Sequence, residues 1–304
     1  MSGTERSGGV GVSTIEVVGG APGYRPGATL SLWTEIRRQG SRRRTQLALG
    51  FMVLLPLIIL TAFQLDSGNS NDNGGGGGGG EFSRLSDLAT SGGPNFTLFT
   101  LLVSAGFLLV VVVALFHGDT VASEASWGSL RYLLAMPVPR SRLLAVKLAV
   151  SLLYSLAAIL ILVATALAAG TLRYGWAPLS APIGGEIAAG TSLVRLMEIV
   201  AYLCVTLLVV ASLAFLLSVS TDAPLGAVGG AVLLQILSNI LDQITALGNL
   251  RTVLPTHYAD AWLGLLSSPM QTDDLVKGAI ASLLYATVFF SLAWWRFLRK
   301  DVVS

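Results

Sequence analysis

Long apolar runs dominate this sequence, and they constrain what the chain can fold into. Six of them reach the roughly 17–25 residues that a helix needs to cross a bilayer core about 30 Å thick. Inside lipid, backbone N–H and C=O groups can be satisfied only within a helix or a closed barrel. The runs lack the alternation of apolar and polar residues that is typical of barrel strands. We therefore predict an all-α integral membrane protein with six transmembrane helices. They are placed at Leu47–Leu65, Phe96–Phe116, Leu143–Leu167, Leu196–Ser218, Pro224–Leu247 and Leu275–Trp295.

Composition and charge agree with a membrane location and predict an orientation. Only 12% of the residues are charged, about half the share found in soluble domains. Lys and Arg concentrate in cytoplasmic loops of membrane proteins. Fourteen of the 19 lie on the side of both termini, so we expect a multi-pass plasma-membrane protein with both termini in the cytoplasm. We attribute the basic residues to topology and to contacts with membrane lipid, and we expect no nucleic-acid partner.

The chain divides into segments of different composition. Residues 1–27 are rich in Gly and Ser and are predicted to form a flexible cytoplasmic tail. Residues 28–46 carry apolar side chains on one helical side and basic ones on another, which favours an amphipathic interfacial helix over a plain positive flank of the first span. Residues 47–304 form the six-helix transmembrane domain. Its external loop 66–95 contains seven consecutive glycines, Gly74–Gly80, which predict a flexible linker.

The segment 248–274 lies between the last two predicted spans. It is semi-apolar, but it has too few apolar residues to cross the bilayer. Two interpretations stay open for it: a re-entrant or interfacial hairpin in the outer leaflet, and an exposed loop with a few aromatic contacts. His257 lies in this segment beside Tyr258. An interfacial aromatic belt explains this histidine better than contact with a substrate does.

The sequence lacks the motifs of common catalytic sites. There is no G-x-x-x-x-G-K-[ST] phosphate loop and no His-Glu-x-x-His metal motif. The two histidines, His117 and His257, are predicted on opposite faces of the membrane, so they cannot share a metal ion. We therefore expect a non-catalytic chain, with no catalytic residues, no metal site and no cofactor bound directly. An intramembrane enzyme would need an acid and a base within hydrogen-bond reach.

The fifth predicted span carries four polar residues at helical spacing: Gln235, Ser238, Asn239 and Asp242. Separations of three, four and seven residues place all four on one helical face. Polar groups within a span usually face a partner helix or a water path, because each costs free energy in lipid. A substrate translocation path and plain hydrogen bonding between helices are both open explanations.

The loop at residues 118–142 is the only long polar segment that the charge pattern places in the cytoplasm between two predicted spans. Asp119 can cap a short helix that runs to Trp127 and ends at Gly128. A helix lying flat under the membrane, with Glu124 and Trp127 exposed, would make a lever for a soluble partner. An ordinary polar connector is the alternative, and these residues alone do not separate the two.

The run SEASWGSLRYLLAMPVPRSRLLAVK, residues 123–147, resembles the segment after the second span in membrane subunits of ABC-2 type ATP-driven transporters. The pattern is an acidic residue, Gly-Ser/Thr-Leu, apolar residues, then Pro-Val-x-Arg and a basic residue. Its positions here are Glu124, Gly128, Ser129, Leu130, Pro137, Val138, Arg140 and Lys147. The basic, Trp-containing segment before the first span and the tail WWRFLRKDVVS are similar to the family as well. The sequence departs from the family at Ala125-Ser126-Trp127, where relatives carry more charge.

The resemblance implies an ABC-2 type exporter-like bundle in a bacterial plasma membrane. Its partners would be a second copy of itself or a related permease, and a cytoplasmic ATP-binding cassette ATPase that binds ATP and Mg. The residues coupled to the ATPase would be Asp119, Glu124, Trp127, Gly128, Arg131 and Asp222. The translocation path would use Gln235, Ser238, Asn239 and Asp242. A non-transporting membrane anchor or sensor subunit of an envelope complex is the alternative function.

Overall fold

The computed structural model describes residues 31–68, 87–126, 139–180, 186–267 and 269–299. These residues form the helices α1 (Leu32–Gly40), α2 (Arg43–Gly68), α3 (Gly93–Ala105), α4 (Leu108–Ser126), α5 (Arg140–Tyr174), α6 (Ser192–Ser220), α7 (Pro224–Gln243) and α8 (Asp273–Leu298). A short antiparallel hairpin pairs β1 (Leu179–Ser180) with β2 (Glu186–Ile187). Two 3₁₀ segments, Thr245–Val253 and Ala261–Leu266, connect α7 to α8.

Six helices in the described part of the chain are long and apolar enough to cross a membrane: α2, α4, α5, α6, α7 and α8. This confirms the prediction of an all-helical bundle with six membrane-length helices. The predicted spans overlap these helices well, except at the second span. The fold is therefore that of a multi-pass membrane protein.

The second span is displaced from its predicted position at Phe96–Phe116. The structure divides this region into α3 and α4, with a turn at Gly106 and Phe107, and α4 continues to Ser126. In α3 the hydroxyls of Thr97, Thr100 and Ser104 each donate to the carbonyl four residues earlier. Such bonds compete with the backbone ladder and often bend helices. The membrane-length helix is therefore α4, which includes Asp119 and Glu124.

The centre of the bundle is built around α4 and α6, which are the most buried of the six membrane-length helices. The α6 helix packs against α4, α7 and α8, while α5 packs against α2, α3 and α4. Phe116 of α4 and Phe215 of α6 are among the largest fully buried side chains. The outward faces of α2, α7 and α8 expose large apolar side chains, as expected where lipid is the solvent.

The segments predicted to be cytoplasmic meet at one end of the bundle, which we call the charged end. It contains α1, the start of α2, the last turns of α4, the start of α5 and the end of α8. At the opposite end, Asn95 of α3 is buried beside the hairpin. Its amide donates to the Pro178 carbonyl at 2.9 Å, and its side-chain oxygen accepts from the Ser180 N–H at 2.8 Å.

The segment between α7 and α8 packs on the bundle instead of extending from it. Trp262, Leu265 and Leu266 are buried, and their 3₁₀ segment contacts α6 and α8. The Tyr202 hydroxyl of α6 donates to the Tyr258 carbonyl at 2.7 Å. These contacts anchor the segment to the bundle end, and its insertion into the outer leaflet stays a prediction.

Other predicted segments are described only partly. The α1 helix forms inside the predicted 28–46 range, with Trp33 71% exposed. Its location in the headgroup plane stays a prediction. The predicted tail 1–27 and the glycine run Gly74–Gly80 lie outside the described residues.

The contact between α4 and α7 depends on Gly118. A Cβ atom there would lie 2.8 Å from Val228 Cγ2 and 3.0 Å from the Val228 backbone nitrogen. Because the backbone cannot give way easily, we expect Gly118→Ala to destabilise the protein by about 1–3 kcal/mol. Gly229→Ala in α7 is the matched control, since a Cβ there meets nothing within 4 Å. Thermal unfolding in detergent would show a lower Tm for the first variant only, and equal Tm values would contradict this packing.

Candidate functional site

Seven charged side chains from four helices or helix ends meet at the charged end of the bundle. We call this group the ionic cluster. Its anions belong to α1 and to the last turns of α4, and its cations belong to α1, the start of α2 and the first turns of α5. The members are Glu35, Arg38, Arg42, Arg44, Asp119, Glu124 and Lys147.

Glu124 and Lys147 form the centre of the cluster. The Lys147 ammonium lies 2.6 Å from a Glu124 carboxylate oxygen, and the two side chains are only 2% and 1% exposed. Arg38 donates to the same carboxylate from α1. Lys147 also reaches Glu35 at 3.4 Å. One buried carboxylate therefore links α1, α4 and α5.

Asp119 is the other buried carboxylate of the cluster, and two arginines bind it. Arg42 donates to its carboxylate at 3.2 Å, and Arg44 donates to the other carboxylate oxygen. Arg42 also donates to the Ser123 hydroxyl at 3.3 Å. Asp119 and Ser123 are four residues apart and therefore lie on one side of α4, the side on which the start of α2 is held.

The geometry explains why α4 can bury two carboxylates. An unpaired charge in a low-dielectric interior costs several kcal/mol, which mutual attraction offsets only when the partners lie close and are hydrogen-bonded. Here Asp119 has two cationic partners, Arg42 and Arg44, and Glu124 has three. The third partner of Glu124 is Arg42, at 3.9 Å. Because α1 and the start of α2 supply cations to these carboxylates, the charged end depends on both elements.

The structure corrects the sequence analysis of this region. Asp119 was expected to cap a short exposed helix with Glu124 facing a partner. Instead Asp119 lies inside the continuous α4 helix, and both side chains are buried. The reason is that cations from α1, α2 and α5 neutralise the two carboxylates, so the helix continues. The predicted coupling residues Trp127, Gly128 and Arg131 lie outside the described residues.

The remaining predicted coupling residue, Asp222, occupies the turn between α6 and α7, where it is exposed. The nearby Ser218 hydroxyl accepts hydrogen bonds from the backbone N–H groups of Val121 and Ala122, both at 3.0 Å. The turn therefore lies at the charged end, close to the end of α4. The coupling role of all these residues stays a prediction.

The pairing of the four cations with the buried carboxylates was not predicted from the sequence. Arg38, Arg42, Arg44 and Lys147 were assigned to topology, and Lys147 also to the family pattern. One signal was available: the three acidic residues of the cluster, Glu35, Asp119 and Glu124, were predicted on the membrane side that also carries most of the Lys and Arg. The sequence gives no measure of the distances between them.

The second candidate site is the polar face of α7, which turns toward the bundle. The sequence predicted that the four residues share one face. Ser238 is buried and Gln235, Asn239 and Asp242 are partly buried, while Leu237 and other apolar residues on the opposite side are exposed. The four predicted residues therefore share one inward face.

Two members of this face are paired with the segment that follows α7. The hydroxyls of Ser238 and Thr256 lie 2.7 Å apart. The Asp242 carboxylate lies 2.6 Å from His257 Nδ1 and 3.6 Å from Arg251 Nε. His257 was attributed to an interfacial aromatic belt. Its ring packs edge-on against Tyr258, with ring centroids 4.7 Å apart, and it has a carboxylate partner as well. These contacts hold the segment against α7.

The other two members, Gln235 and Asn239, line a cavity of about 190 Å³. Its wall also includes Thr206 of α6, Gly106 at the α3–α4 turn and Asp260. Asp260 lies exposed at this cavity. Its pKa is raised above the ordinary value, mainly because the surrounding protein desolvates the carboxyl group and secondarily because the Asp242 carboxylate is nearby. The cavity offers amide, hydroxyl and carboxylate groups to a polar ligand.

Together, the fold and these two sites define a multi-pass helical membrane protein with a buried ionic cluster at one end and a polar cavity beside α7. The chain belongs to the DUF2705 family, described as proteins of unknown function, whose model matches residues 77–303. The matched region contains α3 to α8, and therefore Asp119, Glu124 and the polar face of α7. No curated protein matches the chain.

The Glu124–Lys147 pair gives a stability prediction. We expect Glu124→Gln to destabilise the protein by on the order of 3 kcal/mol, because Lys147 loses its nearest buried counter-charge. This corresponds to a fall in Tm on the order of 10 °C. The double variant Glu124→Gln with Lys147→Met should recover much of the loss, since it removes both charges.

Glu198→Gln is the matched control for this measurement. The Glu198 side chain is 46% exposed and pairs with Arg195 on the same helix, so its loss should cost at most about 1 kcal/mol. The variants are compared by thermal unfolding in one detergent. A Glu124 variant as stable as the Glu198 variant would show that the buried pair does not hold the charged end together.

Proposed function

We propose that this chain is the transmembrane permease subunit of an ATP-driven ABC exporter of the ABC-2 type. It would form the translocation path as a dimer, with a second copy or a related permease, and would be coupled to cytoplasmic ATPase subunits. The observation that supports this best is the ionic cluster. It fixes the helix that leads directly into the segment resembling the coupling loop of that family.

Coupling would proceed through α4. The described part of this helix reaches Ser126, immediately before the predicted coupling residues Trp127, Gly128 and Arg131. A displacement of that loop by the ATPase would reach α4 through a continuous backbone. Glu124 would pass the movement to α5 through Lys147 and to α1 through Arg38, because these groups are held by ion pairs.

In this proposal the charged end faces the cytoplasm. Asp119 and Glu124 then act inside the protein by connecting helices, and the exposed Asp222 at the α6–α7 turn supplies a second point of contact with the ATPase.

The direction of transport would be export. ATP binding can drive the change between states only if the ATPase binds the two membrane conformations with different affinity.

The substrate path would pass the cavity lined by Gln235 and Asn239. This cavity adjoins Gly106, at the turn where α3 and α4 separate, and broken helices are tolerated at membrane depth where they line a cavity. Ser238 and Asp242 would act differently. By holding the segment before α8 against α7, they would close the path at the end opposite the ionic cluster.

A second candidate function is a non-transporting membrane anchor or sensor subunit of an envelope complex. One observation favours it: Ser238 and Asp242 are bonded to residues of their own chain, so half of the polar face needs no substrate. The two functions differ in what they require of Gln235 and Asn239.

The first experiment is purification of the tagged full-length chain from native membranes in mild detergent. We expect a soluble protein with nucleotide-binding motifs to be recovered in stoichiometric amount, with an ATPase rate that depends on this chain. Recovery of the chain with other membrane proteins and no ATPase would contradict the exporter proposal and favour the anchor.

A variant pair locates the contact with the ATPase. We expect Trp127→Ala with Arg131→Glu to abolish co-purification of the ATPase while membrane insertion and Tm stay unchanged. The matched control is Trp176→Ala with Arg173→Glu, which changes the same residue types near the opposite end, where both are exposed. Loss of the ATPase in the control, or its retention in the first variant, would contradict the assigned coupling loop.

A second variant separates the exporter from the anchor. Gln235→Leu with Asn239→Leu removes the polar groups of the cavity while leaving the Ser238 and Asp242 pairs in place. An exporter should keep its ATPase partner but change its ATPase rate in liposomes several-fold, because the substrate path is altered. Leu233→Ala with Leu237→Ala, on the exposed face of the same helix, is the control. An unchanged rate in the cavity variant would favour the anchor.

A further inference from the structure

A second cavity, of about 250 Å³, lies between α4, α5 and α6 and has no part in the proposed coupling or substrate path. Its wall is mostly apolar and includes Val113, Ile159 and Leu208. Leu156 also lines it, and this side chain is 43% exposed on the outer surface of the bundle. The cavity therefore borders the surface that faces lipid.

His117 lines this cavity and is fully buried. Its Nδ1 lies 2.9 Å from the Val113 carbonyl oxygen. A carbonyl only accepts, so Nδ1 must carry the hydrogen. A charged ring would be costly at a buried position, and in the neutral ring the other nitrogen is then an acceptor. That acceptor, Nε2, is buried and has no hydrogen-bond partner among the described residues.

Ser155 is a second polar side chain on the wall. Its hydroxyl is also buried without a hydrogen-bond partner in the described part of the chain. One turn earlier in α5, Ser151 donates to the Lys147 carbonyl at 3.1 Å, which is the usual solution for a helical serine in an apolar setting. Ser155 therefore leaves a hydroxyl available to a ligand, as His117 leaves an acceptor.

We propose that this cavity binds a lipid-soluble molecule that carries a hydroxyl group and enters from the membrane. The ligand hydroxyl would donate to His117 Nε2 and accept from the Ser155 hydroxyl. A ketone, ester or ether could accept from Ser155 but could not donate to the imidazole. Of these four groups, only the hydroxyl satisfies both side chains.

The size and walls of the cavity fit the apolar part of such a molecule. At roughly 30 Å³ for each water-sized group, the space holds about eight methylene groups. Cavities with mostly apolar walls accept small apolar molecules. A medium-chain alcohol fits whole, and a longer molecule could leave its tail in lipid past Leu156. The cavity contains none of the predicted coupling residues and none of the polar residues of α7. Ligand binding there can therefore be tested independently of the proposed function.

The test uses the full-length chain in lipid nanodiscs and an octanol that bears a diazirine as the photoreactive probe. After irradiation, mass spectrometry should locate the label on the cavity-lining stretches Leu152–Ile159 and Cys204–Ala211. Unlabelled 1-octanol should protect these stretches at about five- to tenfold lower concentration in the membrane than octyl methyl ether, because the ether lacks the donor hydrogen.

Variants identify the two polar groups. His117→Leu should reduce the difference between alcohol and ether to less than twofold. Ser155→Ala should weaken protection by both competitors and leave their ratio unchanged, because each can accept from the Ser155 hydroxyl. Ser151→Ala should change neither. If His117→Leu does not fold, Ser155→Ala and the wild-type comparison of the two competitors still decide. Equal protection by alcohol and ether would overturn the proposal. So would label spread evenly over lipid-facing positions such as Leu153 and Leu160.

Discussion

Two carboxylates, Asp119 and Glu124, are buried at the end of α4, and their burial is possible because cations reach them from three other elements. Charges this deep must be paired, since an isolated one costs several kcal/mol. These ion pairs hold α1 against α5 and the start of α2 against α4. They also fix the position of the last described turns of α4. The shape of the charged end follows from neutralising these two groups.

The opposite end of the bundle is organised by weaker and more local polar contacts. Asp242 and Ser238 of α7 bond to residues of the segment that immediately follows, so the chain closes this end with its own connection. Between the two ends lie a polar cavity beside α7 and an apolar cavity beside His117. A movement of α4 would alter both, because α4 or the turn before it contributes to each wall.

Hydropathy located the membrane helices well because lipid enforces the same rule on every residue of a span. The second span shows where that rule is insufficient. A continuous apolar run predicted one helix at Phe96–Phe116, yet hydroxyl groups inside the run bond to the backbone and the helix breaks at Gly106. Conversely, α4 continues through Asp119 and Glu124, which looked too polar for a span when their partners were unknown. The shared polar face of α7 was predictable, since it rests on helical spacing alone, but the spacing did not decide whether this face turned inward or toward another subunit.

The sequence by itself determined the class of fold, the number of membrane-length helices and the residues that share the polar face of α7. These properties depend on local composition and on the fixed period of the helix, which can be followed along the chain. Tertiary structure alone decided which groups meet: Glu124 with Lys147 and Arg38, Asp242 with His257, and His117 with an apolar cavity. Ion pairs and cavities depend on distances of a few ångströms between helices, and no pattern within one helix records those distances.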